Sequence, residues 1–250
     1  MANIEPEEGF RSSAEKGIGK MLEQIFQANP GSVESKLENF PKYIRRQKLT
    51  RILSLYEIFK KALLVKGSII ECGVFHGFGL MTWANLSAIL EPTNLTRRIY
   101  GFDSFEGFTE ISEKDRSAFM TPATGQLRID SFAELQELIK VYDANRFLGH
   151  IPKVQLIKGD VTKTIPEFLE AHKHLVISLL FLDLDLYKPT KIALEHFVPR
   201  MPKGAIIAFD ELDNPIWPGE TLALMETLGI GRLRIERLDF DPYIGYALIE

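Results

Sequence analysis

Two hydrophobic periods alternate along the chain. Short, nearly continuous apolar runs recur at residues 68–70, 98–102, 154–157, 175–182 and 204–209, and each gives way to an acid or to a Gly-Asp pair. Between them lie longer stretches that can be helical, so the pattern reads as strand and helix in alternation, an α/β fold built on a mostly parallel sheet. An amphipathic helix is predicted from Ala14 to Ala28, and a long helix from near Pro41, with Ile44, Leu49, Ile52, Leu55, Tyr56 and Phe59 spaced as a buried stripe. Further helices are predicted over residues 80–90 and from Ser131, read as an N-cap, toward Arg146. The last two strands, residues 232–238 and 244–249, are joined by so short a turn that they must be antiparallel. From Phe108 to Asp130 the periodicity dissolves, and a loop of that length inside a compact domain is expected to be an active-site lid.

The first crossover carries the clearest chemistry. Ile69-Ile70-Glu71-Cys72-Gly73 ends a strand on an acid, and Gly73, Gly77 and Gly79 follow before a helix begins. Glycine serves where φ is positive or a ligand approaches the backbone, and a helix N-terminus offers free N–H groups. The dinucleotide fingerprint G-x-G-x-x-G is absent. An acid ahead of the turn would repel a pyrophosphate and suits a ligand carrying an ammonium or sulfonium, as S-adenosylmethionine carries both. The cofactor-binding candidates in this turn are therefore Glu71, Gly73 and Gly77.

Other strand ends add carboxylates on the same edge of the sheet, where open α/β folds place ligands. Asp103 closes the second strand, 24 positions after Gly79, where it can accept hydrogen bonds from both ribose hydroxyls of an adenosyl ligand; Ser104 follows it. Asp160 closes the third strand and is placed either to accept from an adenine amino group or to cap the next helix. The most apolar strand ends in Asp183-Leu184-Asp185-Leu186-Tyr187-Lys188-Pro189-Thr190, and the next in Asp210-Glu211-Leu212-Asp213-Asn214. Carboxylates crowded at one edge repel one another unless a cation joins them, and an all-oxygen set selects a hard ion, with Mg²⁺ the expected metal. Asp183, Asp210 and Glu211 are the candidate ligands, with Asp185 and Asp213 as further acids; Asp183 is also the candidate general base. None of the five histidines stands at a strand end with these acids, and His76, in the cofactor turn, is the next candidate base.

Composition narrows the partners. At 250 residues the chain suffices for one full α/β core, and 34 acids against 30 bases give a net charge of −4, which offers no general attraction to nucleic acid or to an anionic membrane. Neither is an expected partner. The single cysteine, Cys72, excludes an internal disulfide, and the acidic first ten residues lack a basic region followed by an apolar core, so a cytoplasmic protein is expected. Lys42, Arg45, Arg46, Lys48 and Arg51 form a basic cluster that is either a solvated helix face or a phosphate-binding edge. The expected organisation is an N-terminal extension, residues 1–38, and a catalytic domain, residues 39–250, that includes the lid.

Taken together, Ile70-Glu71-Cys72-Gly73-Val74, Gly101-Phe102-Asp103-Ser104-Phe105-Glu106-Gly107, the 183–190 motif and Phe209-Asp210-Glu211 resemble the macrocin O-methyltransferase family. The resemblance runs from about residue 39 to the C-terminus. It implies a class I S-adenosylmethionine-dependent methyltransferase fold, Rossmann-like, with a seven-stranded sheet that ends in an antiparallel hairpin. It also implies Mg²⁺-assisted methylation of a sugar hydroxyl in antibiotic biosynthesis, with Glu71 and Asp103 on the cofactor and Asp183 and Asp210 on the metal. Many members have two adjacent aspartates where this chain has Asp210-Glu211. The stretch around ENFPKYIRRQKLTR is similar to members acting on nucleotide-linked deoxysugars, so the expected partners are such an acceptor and further copies of the chain. Two other readings stand beside this one: a catechol- or caffeoyl-type O-methyltransferase on the same fold, and a non-catalytic cofactor-binding module.

Overall fold

The computed structural model describes residues 12–250; the acidic opening, with Glu5, Glu7 and Glu8, lies outside the described residues. The chain divides into two compact units, one running up to Leu53 and the other from Ser54 to Glu250.

The first unit is helical. α1 (Ser13–Ala28) starts at a capping box in which the Ser12 hydroxyl accepts from the Glu15 N–H and the Glu15 carboxylate accepts from the Ser12 N–H. The short α2 (Val33–Glu38) is capped by Ser32, and a 3-10 turn over Phe40–Lys42 contains Pro41. The long helix, α3 (Arg46–Ala62), begins five residues later than the apolar spacing predicts, and from Ser54 onward it belongs to the second unit. The reason is local: the residues after Pro41 are spent closing the 3-10 turn, with the Tyr43 N–H donating to Phe40 O at 2.9 Å. Of the basic cluster, Arg46 pairs with Glu15 at 3.4 Å.

The second unit holds one seven-stranded sheet in the order β3-β2-β1-β4-β5-β7-β6. Its strands are β1 (Ser68–Cys72), β2 (Ile99–Asp103), β3 (Val154–Lys158), β4 (Ile177–Leu182), β5 (Ile206–Phe209), β6 (Glu236–Arg237) and β7 (Gly245–Leu248). β3 through β5 are parallel, while β7 lies antiparallel against both β5 and β6. Five helices complete the unit: α4 (Phe78–Leu90), α5 (Phe132–Ala144), α6 (Val161–Ala171), α7 (Tyr187–Phe197) and α8 (Gly219–Thr227). This is the expected methyltransferase architecture, with the chain order reversing at β1 and β4 as a ligand crevice requires.

Strand alternation divides the core between the two faces of the sheet. Ile69, Leu179 and Phe181 pack with Leu55, Ile58, Phe59 and Trp83 on one side, and Ile70, Cys72 and Leu180 pack with Phe168, Phe197 and Leu224 on the other. Both faces are covered, which is why the strands read as continuous apolar runs. Trp83 is fully buried between Phe59 and Phe181, and truncation to alanine there would cost about 3–5 kcal/mol. Among the described residues no helix is long and apolar enough to cross a membrane.

Candidate active site

The parallel register brings the ends of β1, β2, β4 and β5 to one edge. Glu71 lies beside Gly101 on β2 and Phe181 on β4, and Leu182 lies beside Phe209. Glu71 is 2% exposed, and its carboxylate rests on Gly79 in the first turn of α4, where a Cβ would sit 2.7 Å from both carboxylate oxygens. A negative charge against a helix N-terminus is favourably placed. Gly73, at φ +93°, is in closer contact still: a Cβ there would fall 1.7 Å from Asp183 O. Gly77, at φ +82°, packs under Leu135, so the turn and the packing both demand glycine irrespective of any ligand.

Asp103 is held by two backbone donors. Phe75 N–H donates to Oδ2 at 2.8 Å and Phe105 N–H to Oδ1 at 2.7 Å, and both phenylalanines have positive φ, 50° and 55°. Each oxygen keeps a further lone pair for a hydroxyl donor. Ser104 is occupied in its own turn, donating to Gly107 O and accepting from Glu106 N–H. Asp160 caps α6, with Oδ1 accepting from the Thr162 N–H and hydroxyl. Ser131, read from sequence as an N-cap, uses its hydroxyl differently: it donates to Phe75 O at 2.6 Å and so ties α5 to the first crossover.

Asp183 and Asp210 continue the ladder, their N–H groups donating to Cys72 O and Leu182 O at 2.9 Å each. Asp185 and Glu211 are half-buried beside them. Burial, then the charge on Asp210, pushes the carboxyls of both Asp185 and Glu211 well above the usual range, and Asp185 and Glu211 repel each other. The Glu211 carboxylate also accepts from the Asn214 side-chain amide. Asp213 is exposed, with its N–H donating to the Thr221 hydroxyl at 3.0 Å. As they stand, no three His, Cys, Asp or Glu side chains among the described residues form a metal-holding set. The crowded all-oxygen donors nonetheless have the chemistry of a hard-cation site, because their mutual repulsion is what a divalent ion would relieve. His76 is exposed in its turn, and burial holds the Cys72 thiol far above its ordinary value, which makes it a poor nucleophile.

Two acids that sequence patterning passed over complete the site. Glu220, in the first turn of α8, is fully buried and accepts from Leu184 N–H at 2.8 Å, Asp185 N–H at 3.3 Å and Glu211 N–H at 3.1 Å. Asp115, 1% exposed within the 108–130 loop, accepts from Tyr187 N–H at 2.6 Å and from Ser112. In sequence the first reads as an ordinary helix-start acid and the second as one of several loop charges. The one hint was the Trp217-Pro218-Gly219 ahead of Glu220, an apolar ring and two conformationally special residues in a row.

The macrocin-O-methyltransferase (TylF) family model matches residues 44–226. Two structures of CalS11, one described as a calicheamicin methyltransferase and the other as TDP-rhamnose 3'-O-methyltransferase, are 36% identical. The first superposes with a TM-score of 0.91 over 95% of this chain and 93% of that one, and the second with 0.83 over 95% of each. A curated relative from Streptomyces olivaceus, 8-demethyl-8-(2,3-dimethoxy-alpha-L-rhamnosyl)-tetracenomycin-C 4'-O-methyltransferase, is 26% identical over 152 residues, 59% of this chain and 53% of its own, so the chain spans about half the length of that relative. With the family match covering most of the chain and the sheet edge built as above, this chain belongs to the macrocin-O-methyltransferase family.

Proposed function

We propose that the protein is an S-adenosylmethionine-dependent O-methyltransferase acting on a hydroxyl of a nucleotide-linked deoxysugar of the rhamnose type, with Mg²⁺ at the acidic strand ends. The observation that carries this reading is the backbone contact between Gly73 and Asp183, which joins a cofactor-type crossover to a cluster of acids. The similarity to CalS11 supports the nucleotide-linked acceptor.

Glu71 and Asp103 would hold S-adenosylmethionine, Glu71 facing the amino-acid end and Asp103 the ribose. When bound, the cofactor supplies an electrophilic methyl and a thioether leaving group. A sugar hydroxyl is a poor nucleophile until it gives up its proton, so this chain's contribution falls on the acceptor. Asp183 takes that proton on a carboxylate oxygen as the new C–O bond forms. Asp183, Asp185, Asp210 and Glu211 offer the donors for Mg²⁺, which when bound supplies Lewis acidity that lowers the hydroxyl pKa. Orientation of hydroxyl and methyl adds the remainder, with about 7–11 kcal/mol available from positioning in well-aligned reactions.

The test is incubation of the purified protein with S-adenosylmethionine, Mg²⁺ and dTDP-rhamnose beside a panel of other nucleotide sugars and a catechol. A sugar nucleotide carrying one extra methyl is expected, with turnover lost in EDTA and restored by Mg²⁺ while calorimetric cofactor affinity persists. Asp183→Asn is expected to lower turnover more than acceptor binding, and Asp103→Ala to weaken cofactor binding at least tenfold, as loss of a charged hydrogen-bond partner costs about 1.5–3 kcal/mol. Full activity in EDTA would remove the metal from the reading, and methylation of the catechol alone would replace the sugar.

A further inference from the structure

The acid-bearing ends of β4 and β5 are held by a residue that belongs to neither. Each N–H from residue 183 to residue 187 has an identified acceptor: Asp183 donates to Cys72 O, Leu184 and Asp185 to Glu220, Leu186 to Leu184 O, and Tyr187 to Asp115. The Leu186-to-Leu184 bond closes a three-residue turn about Asp185 at φ +60°, a conformation that persists only where its surroundings over-determine it. Glu220 is the part of those surroundings that also reaches the neighbouring strand. Oε1 takes Leu184 and Asp185 of the β4 end, and Oε2 takes Glu211 of the β5 end. Gly219 lets α8 approach closely enough: a Cβ there would lie 2.5 Å from Tyr187 N and 2.7 Å from Asp185 O.

We propose that Glu220 is a positioning residue that spans the two strand ends and sets the separation of Asp183 and Asp185 from Asp210 and Glu211. The inference rests on the methyl-transfer reading above. Glu220 points its oxygens at backbone N–H groups, so it acts through the acids it places and is not the group that meets the acceptor. The geometry divides the work between its two oxygens. A glutamine keeps only one acceptor oxygen and must therefore release one strand end while retaining the other, whereas alanine releases both.

The experiment is hydrogen exchange by mass spectrometry on the full-length protein and its Glu220→Gln and Glu220→Ala variants, with Met225→Ala, at a half-exposed position on the same helix, as control. Exchange is expected to rise about tenfold or more over residues 184–185 and 211 in Glu220→Ala, and at only one of these places in Glu220→Gln, with residues 69–75 and 99–105 unchanged. In parallel, kcat with dTDP-rhamnose should fall about tenfold to a hundredfold in Glu220→Ala, with cofactor affinity kept and Met225→Ala unaffected. Unchanged exchange at both strand ends, or a uniform rise across the whole sheet, would overturn the clamp. Faster exchange with normal kcat would overturn its role in the reaction. A wild-type protein that exchanges as expected but methylates no sugar on the panel would overturn the functional reading while leaving the clamp supported.

Discussion

Gly73 and Asp183 meet backbone to backbone, with no space between them for even a β-carbon. The turn that would receive the cofactor and the acid that would receive the proton are thus one rigid unit. Gly73→Ala is expected to be among the most damaging single changes outside the hydrophobic core. Its φ of +93° is disfavoured for alanine, and the methyl would strike Asp183 O, a backbone atom of the residue whose N–H is tied to Cys72 O. We expect a loss of about 3 kcal/mol or more, since backbone strain alone costs about 1–3 kcal/mol. Gly125→Ala supplies the comparison, because its φ is also positive but nothing lies within 4 Å, and it should cost about 1 kcal/mol. Equal melting temperatures for the two variants would show that the contact is not rigid.

The 108–130 loop, read as a lid, is fastened at its root. Asp115 holds Tyr187 N–H, Lys114 bridges to Glu226, which also accepts from the Tyr187 hydroxyl, and Lys188 pairs with Glu110. Beyond that root, Phe119 is 72% exposed. Limited proteolysis is therefore expected to cut between residues 116 and 124 and to spare residues 110–115. Asp115→Ala should open the root to cleavage and lower kcat, because the same carboxylate orders the 183–187 turn; cleavage of the unaltered protein within 110–115 would contradict this anchoring.

Lys153 offers a pH test that is independent of the site. Its side chain is buried, with Nζ donating to Asn94 O at 2.9 Å, and desolvation lowers its pKa from the ordinary 10.5 to about 8. The unfolded chain therefore binds more protons than the folded one between about pH 8 and 10.5. The penalty is fully present below pH 8 and is relieved as pH rises toward 10.5. Lys153→Met should gain about 1–2 kcal/mol at pH 7, with the gain shrinking toward pH 10.5, in denaturant titrations at stepped pH. A pH-independent difference would mean that the ammonium is well solvated.

The sequence by itself determined the strands, save that β6 keeps only Glu236–Arg237 of the expected 232–238 because Ile230–Arg232 close a 3-10 turn, and with them their parallel succession, the antiparallel ending and the edge that carries the acids. Each of these rests on local pattern: continuous apolar runs for strands buried on both faces, a turn too short for a crossover before β7, and acids where the runs stop. Glu71, Asp103, Asp183 and Asp210 were visible because each is the last polar punctuation of a strand. Tertiary structure decided which contacts these side chains make within the fold. Ser104 folds its own turn, Asp160 caps α6 and Asp213 faces solvent, while Asp185 lies half-buried beside Asp210 and Glu211. The fold revealed the roles of Glu220 and Asp115, whose partners Leu184 and Tyr187 lie 36 and 72 residues away in the chain. A carboxylate's sequence neighbours set its local capping options, but its acceptor geometry is satisfied by whichever N–H groups the packed helices bring to it. That is settled in three dimensions, by the close approach of α8 that Gly219 permits.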